Sequence, residues 1–562
     1  MECRVCGAPV APVSTVCNRC GAPAPELDAA TAAMAAAPGR RGGIGRTPVV
    51  VLLVLVLVGG IAAAGAYGYQ NVLLTTFRSA AFLPRDTWLM ATTTLRPGFL
   101  QSLNSAAIVD AFVKRPGSDE ALKSLQKSAD TAGVDARTEV VPLLTGEVAV
   151  AVSGTVQAPS GVGLLETSEP EKLLRVLAKS AKASEPADRY RDGPSFEAGT
   201  ARSPTYYIAS PRGWVILSTA RADAERAYDR IESGGDSLAA DPRYRGVMER
   251  LPTDKLGYLY VDMRAVFGDP TVRKQIDALP AEARDRLDPL SSRIAMSIEA
   301  QSDGIAAHWE SIPDRALSPK TGLSSGNALM AVDRLPSDTL FAVGGHDLPT
   351  LLTGIDAAMS SYLATARGPL APKVEFTFAK WFSGEFALGI GRGDMRLDRG
   401  AAQGVPDVLF AAHLADVGEA TKGIDALDQF TAAKTTTVQG YTLKQVGTGQ
   451  AAFLYAVADD WFYALTGART DKLIAATART DGLTKAANYA LVKRVIRGDG
   501  LTFYADLEAT RTFFEDLTPA AQRRQYDEQV RVFLQPLRAV GGSIRSDPNG
   551  DVHGEVILAV KR

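Results

Sequence analysis

After residue 20 this 562-residue chain contains no cysteine. Its large remainder therefore has no disulfide to lean on, and its stability must come from packing. Histidine is scarce: His308, His346, His413 and His553 are all there is. They form neither H-x-H nor H-E-x-x-H, so a catalytic metal site has no local support. Surplus charge is lacking too. The net charge of −2 gives no electrostatic argument for binding nucleic acid. Known catalytic signatures fail on context. Gly322-Leu323-Ser324-Ser325-Gly326 spells G-x-S-x-G, but Pro319 and Lys320 precede it where a hydrolase elbow needs a strand. Ser124-Leu125-Gln126-Lys127 spells S-x-x-K without its companion motifs in order. Gly389–Gly393 follows neither phosphate-loop spacing and reads as a strand end and turn. Arg392-Gly393-Asp394 and Arg497-Gly498-Asp499 read as coincidence in a Gly/Arg-rich chain.

The cysteines that are present lie together as Cys3-Arg-Val-Cys6-Gly and Cys17-Asn-Arg-Cys20-Gly. Each C-x-x-C turn brings two thiolates close, and tetrahedral zinc needs four sulfurs at about 2.3 Å. Gly7 and Gly21 supply the positive φ that closes each turn. Cys3, Cys6, Cys17 and Cys20 are thus the expected ligands of one structural zinc. Four cysteines leave no open position for water, which excludes a catalytic role for that metal. So small a unit cannot build a core, so metal binding would drive its folding. The segment resembles the small zinc ribbons at the N-terminus of many bacterial membrane proteins. That resemblance implies a docking module without activity.

From Pro48 to Tyr69 no residue is charged. At 1.5 Å per residue the run would span roughly 33 Å, enough for a hydrocarbon core of about 30 Å. It is too long and too far from Met1 for a signal peptide. Arg40, Arg41 and Arg46 precede it, and the next basic residue is Arg78. The positive-inside rule then puts the N-terminus in the cytoplasm and everything after Tyr69 outside a bacterial inner membrane. Gly60, Ala64 and Gly68 recur at spacings of four, a pattern that permits a homodimer through this helix, although small residues are simply common here.

The outer part repeats itself. Leu83-Pro84-Arg85-Asp86-Thr87 returns as Leu335-Pro336-Ser337-Asp338-Thr339. Thr145-Gly146-Glu147 returns as Ser383-Gly384-Glu385, and Tyr260-Val261-Asp262 as Tyr504-Ala505-Asp506. Helix starts recur at Ser168-Glu169-Pro170-Glu171 and Asp416-Val417-Gly418-Glu419, the first read as a capping box. Each half should close in a hairpin, at Asp303-Gly304 and Asn549-Gly550. Strand runs alternate with helices, so the expected fold class is α+β: two tandem homologous mixed α/β repeats, one transmembrane helix and the N-terminal zinc ribbon. The boundaries are a ribbon over 1–24, a flexible linker over 25–46, a transmembrane helix over 47–70, and extracytoplasmic repeats over 71–318 and 328–562.

The Leu-Pro-x-Asp-Thr opening, the Gly-Glu strand and the Tyr-x-Asp strand resemble a bacterial family of unknown function, domain-of-unknown-function family 3352. The resemblance covers most of Ala80–Arg562. It implies an envelope-exposed, membrane-anchored protein and carries over no catalytic residue.

The repeated acids Asp86/Asp338, Glu147/Glu385 and Asp262/Asp506 invite a reading as paired catalytic acids. Their presence in both halves favours structural roles, because duplicated folds retain structural residues while active sites often survive in one copy. The resulting expectation is a non-enzymatic, membrane-anchored envelope protein. Its outer part would bind a partner or ligand, its zinc head would dock a cytoplasmic component, and nucleic acid would not be a partner. The alternative is an extracytoplasmic hydrolase acting on cell-wall or lipid material.

Overall fold

The computed structural model describes residues 77–113, 139–278, 292–313, 328–352 and 378–561, less a few single residues and short stretches within them. Leu52–Arg562 form one compact unit.

The strands of the first half are β1 (Leu89–Thr94), β2 (Leu144–Gly154), β3 (Pro159–Thr167), β4 (Asp188–Tyr190), β5 (Gly193–Thr200), β6 (Ser203–Ser210), β7 (Trp214–Ser218), β8 (Gly257–Asp262), β9 (Ser292–Gln301) and β10 (Gly304–Pro313). Their order in the sheet is β4-β5-β6-β7-β3-β2-β1-β8-β9-β10. The second half opens with β11 (Thr339–Gly345) and β12 (Phe382–Gly391), then a separate ribbon of β13 (Arg396–Asp398) and β14 (Ala401–Gln403). It continues with β15 (Val408–Leu414), β16 (Lys434–Val438), β17 (Tyr441–Val446), β18 (Phe453–Ala458), β19 (Trp461–Thr466), β20 (Leu501–Asp506), β21 (Leu537–Ser546) and β22 (Val552–Val560). Ribbon aside, its order is β16-β17-β18-β19-β15-β12-β11-β20-β21-β22, the same arrangement strand for strand. The last strands of the two halves, β10 and β22, pair from Gly304↔Ala559 to Ser311↔Val552, making one sheet of twenty strands.

This corrects the expected fold class. Every strand pairing is antiparallel, so the chain is not a tandem of mixed α/β repeats but a single antiparallel sheet with helices against it. The physical reason is burial on both faces. Antiparallel sheets commonly leave one face wet and show alternating polarity, whereas continuous apolar runs suggest parallel strands between helices. Here helices cover both faces. On one face lies α1 (Pro170–Ser180), and on the other Trp214 and Ile216 of β7 share a core with α2 (Arg221–Ser233) and α3 (Pro242–Met248). Val215 and Leu217 turn to Leu173 and Leu174 of α1. In the second half, Trp461 and Tyr463 of β19 face Leu473 and Val492, from α5 (Thr470–Thr477) and α6 (Ala487–Lys493). Ala464 turns to Ile424 of α4 (Val417–Thr431) on the opposite face.

Local chemistry sets several ends. Asp416 caps α4 by accepting the Glu419 N–H at 3.0 Å. No side chain caps α1; Pro170 opens it, and Thr167 rather than Ser168 holds the entering chain, accepting the Glu169 N–H at 3.1 Å. The β9–β10 hairpin turns just before Gly304, and Gly550, at φ 86°, closes the β21–β22 turn.

Among the described residues no helix is long and apolar enough to cross a membrane. The longest, Phe99–Val113 and Val417–Thr431, have 15 residues each, where a span takes about 20. The helix expected over 47–70 lies outside the described residues. So do Cys3, Cys6, Cys17 and Cys20, the expected zinc ribbon and its linker. Among the described residues no cluster of His, Cys, Asp and Glu is placed to hold a metal ion.

Candidate functional site

The repeated acids come first, because the sequence singles them out. Glu147 is buried in β2, 2% exposed. Its carboxylate accepts the backbone N–H groups of Arg78 (2.6 Å) and Ser79 (3.0 Å) and the Thr92 hydroxyl (2.8 Å). Burial is the largest influence on it and pushes the carboxyl up, against those hydrogen bonds. Glu385, its counterpart, accepts the Ala331 N–H at 2.9 Å and is likewise pushed up by burial. Both acids therefore bind the backbone of the short helical segment that leads into each half, Ser79–Ala81 and Leu329–Val332. Asp262 and Asp506 cap the helices after β8 and β20, accepting Arg264 N–H at 3.0 Å and Ala509 N–H at 2.7 Å. Asp338 is half exposed and pairs with Lys472. These acids build the fold and converge on no common point.

The recurring aromatics do the same work. Tyr244 meets Tyr260 edge-on at 5.0 Å, and Tyr489 meets Tyr504 edge-on at 5.1 Å. Leu238 N–H donates to Leu83 carbonyl in one half, and Leu483 N–H to Leu335 carbonyl in the other, so the Leu-Pro opening anchors each half from within.

One position in the pattern differs between halves, and chemistry gathers there. In the second half the Ser383 hydroxyl lies 2.5 Å from His413 Nδ1, and His413 Nε2 lies 2.7 Å from Asp460 Oδ2. Ser383 opens β12, where the register with β15 shifts between Phe382 and Phe386. His413 stands on β15 directly opposite Trp461, whose indole meets the imidazole edge-on at 5.2 Å. Asp460 is the turn residue just before β19, and its N-terminal position on that strand is held by Leu414 N–H donating to its carbonyl at 2.7 Å. Burial raises the Asp460 carboxyl, but the hydrogen bond with His413 and nearby positive charge outweigh it and hold the group below its ordinary value. A carboxylate on Nε2 keeps the proton there, so Nδ1 is the acceptor facing Ser383. The array is open to water: the His413 and Asp460 side chains are 32% and 53% exposed.

The corresponding first-half residues are Thr145, Glu166 and Gly213, matched by Leu144↔Thr167 against Phe382↔Leu414 and by the Thr167 N–H to Gly213 carbonyl bond. There Glu166 accepts the Glu147 N–H at 2.8 Å and pairs with Arg78. The same corner thus carries an ion pair in one half and a Ser–His–Asp array in the other.

Sequence reasoning missed this array. Ser383 was visible as part of Ser-Gly-Glu, but His413 and Asp460 stand 30 and 77 positions away with no motif around them. The one available signal was divergence between aligned halves at 166/413 and 213/460. Of the remaining histidines, His308 lies 3.7 Å from Glu299 and His553 stands opposite Glu310 in the β10–β22 ladder. Ser124–Lys127 and Gly322–Gly326 lie outside the described residues. Arg392 of the first adhesion-like tripeptide pairs with Asp516 at 3.0 Å, and Asp499 of the second pairs with Arg545 at 3.4 Å.

Fold and site together define a duplicated antiparallel-sheet protein with one nucleophile-like array in its second half. A family model described as "Protein of unknown function (DUF3352)" matches residues 49–560, and the chain belongs to that family. No curated protein matches it. Among solved structures, "Structure of crystal form III of TP0453" is similar at 8% identity over 43% of this chain and 83% of that one, with a TM-score of 0.23. "Structure of crystal form IV of TP0453" is similar at 9% identity over 42% and 81%, with a TM-score of 0.22. At those scores neither likeness carries an argument about fold or function.

Proposed function

We propose that this chain is a non-enzymatic protein of the bacterial envelope, with its large folded body outside the cytoplasm, where it binds a partner or ligand. The observation that carries the non-enzymatic part is the role of the repeated acids. Glu147, Glu385, Asp262 and Asp506 spend their oxygens on the protein's own backbone and neighbouring side chains. The outside location rests on sequence: Arg40, Arg41 and Arg46 stand before the uncharged run Pro48–Tyr69, and the next basic residue is Arg78. Zinc on Cys3, Cys6, Cys17 and Cys20 rests on spacing alone, and a docking role for that head on its resemblance to N-terminal zinc ribbons.

The location is tested by a membrane-impermeant maleimide on intact cells, with single cysteines at Glu171 and Thr436, both exposed. Labelling before lysis supports the reading; labelling only after lysis rejects it.

The rival reading is an extracytoplasmic hydrolase acting on cell-wall or lipid material. One observation favours it, the Ser383–His413–Asp460 array.

A further inference from the structure

We infer that Ser383 is a nucleophile toward carboxylic esters, with His413 as its base and Asp460 as a positioning residue. The inference rests on the rival hydrolase reading, and success of its test replaces the non-enzymatic one. Two independent features of the structure carry it.

The first is the relay itself. Ser383 Oγ to His413 Nδ1 is 2.5 Å and His413 Nε2 to Asp460 Oδ2 is 2.7 Å, within reach for a nucleophile, its base and the group that orients the base. The ring nitrogens serve in the reverse of the familiar protease order, Nδ1 toward serine and Nε2 toward aspartate. Proton transfer asks only that the nitrogen facing serine be the unprotonated one. The edge-on indole of Trp461 limits tilting of the imidazole.

The second is the comparison between halves. In the first half the same corner holds Glu166, which accepts the Glu147 N–H at 2.8 Å and pairs with Arg78. In the second half His413 stands in place of Glu166 and Asp460 in place of Gly213, so the corner has exchanged an ion pair for a base and its orienting acid beside Ser383.

The step balances without an outside reagent. Ser383 Oγ attacks the carbonyl carbon as its proton passes to His413 Nδ1. The carbonyl oxygen becomes the oxyanion. The bond from carbon to the alcohol oxygen then breaks, and His413 returns the proton to that oxygen. Water repeats the sequence on the acyl-serine and releases the acid. The exposure of His413 and Asp460 sets the substrate class. Electrostatic activation in contact with water is weak, so the leaving group must be a good one: an alkoxide or phenoxide of an ester presented from the solvent side, not the amine of a peptide.

The test uses the full chain with a fluorophosphonate probe and with p-nitrophenyl acetate. Ser383 is exposed and among the described residues its hydroxyl bonds only to His413, at Nδ1 and at the backbone carbonyl, so Ser383→Ala leaves the fold intact by circular dichroism. Mass mapping should place the adduct on Ser383, and Ser383→Ala should abolish both the adduct and ester turnover. His413→Ala should slow labelling about 10²-fold, the usual worth of a positioned base. Asp460→Asn should move the pH midpoint of labelling as well as the rate, which a merely structural role would not. An adduct elsewhere, with turnover unchanged in Ser383→Ala, overturns the assignment while leaving a hydrolase. No adduct, and turnover no faster than buffer, overturns both.

Discussion

At the scale of single residues, the repeated acids show how a functional-looking pattern serves architecture. Glu147 accepts from three different residues, Arg78, Ser79 and Thr92, while Glu385 binds only the Ala331 N–H among the bonds described. Truncating Glu147 strands several buried donors, each worth about 1–3 kcal/mol. Glu147→Ala should therefore cost about 2–4 kcal/mol of unfolding free energy in urea, and Glu385→Ala about 1 kcal/mol. Glu299 makes a second residue-scale case. It lies on β9 near Lys255, Asp254 and His308 and hydrogen-bonds Ser297 at 3.5 Å. Burial, the largest influence, pushes its carboxyl from 4.5 up to about 7. A raised acid holds a proton in the folded state that the unfolded chain has released, so stability falls as pH rises from about 4.5 to about 7. His308, which burial pushes down, works in the opposite direction over part of that range. Thermal midpoints of wild type and Glu299→Gln at pH 5 and pH 7.5 should show a smaller loss with rising pH in the variant. The Leu-Pro, Gly-Glu and Tyr-x-Asp positions were readable from the sequence because each recurs and each does the same structural job twice. The Ser383–His413–Asp460 array was not, because it occurs once and its members come from the starts of β12 and β19 and the end of β15.

At the scale of elements, strands and helices were largely readable, and their pairing was not. The short continuous apolar runs in Trp214–Ser218 and Trp461–Thr466 mark strands buried on both faces, whatever their neighbours. Whether the next strand lies parallel or antiparallel depends on where the chain re-enters the sheet, and a helix in the connection permits either. Strand β10 carries a local check on the pairing that resulted. Gly554 of β22 stands opposite Trp309 of β10, and a Cβ at 554 would enter the indole ring. The indole covers a glycine across the strands, a recognised way of stabilising such pairs. Gly554→Val should cost about 1–3 kcal/mol through overpacking and shift Trp309 fluorescence. An unchanged spectrum and midpoint would mean that β10 and β22 are not neighbours.

At the scale of the whole molecule, duplication and fusion act together. A ten-strand half standing alone would present β10 or β22 as an open edge, and unpaired edges template association with other chains. Pairing the two covers both edges at once and converts two copies of one topology into a single sheet. The halves are then free to differ where the sheet does not need them alike, as at Glu166 and His413. The sequence showed the two copies; it could not show the seam, because each copy is complete in its own strand order and nothing in β10 or β22 names its partner. Disulfide capture at that seam is the most direct measurement. Ala307 and Val556 are paired across β10–β22, and neighbouring antiparallel Cα atoms at about 4.5–5.5 Å suit a disulfide. With Ala307→Cys and Val556→Cys in the full chain, mild oxidation and peptide mapping should give the 307–556 crosslink within one chain. A control with cysteines at Glu171 and Thr436 should give none. Failure of the 307–556 crosslink, or its appearance only between chains, would contradict the single twenty-stranded sheet.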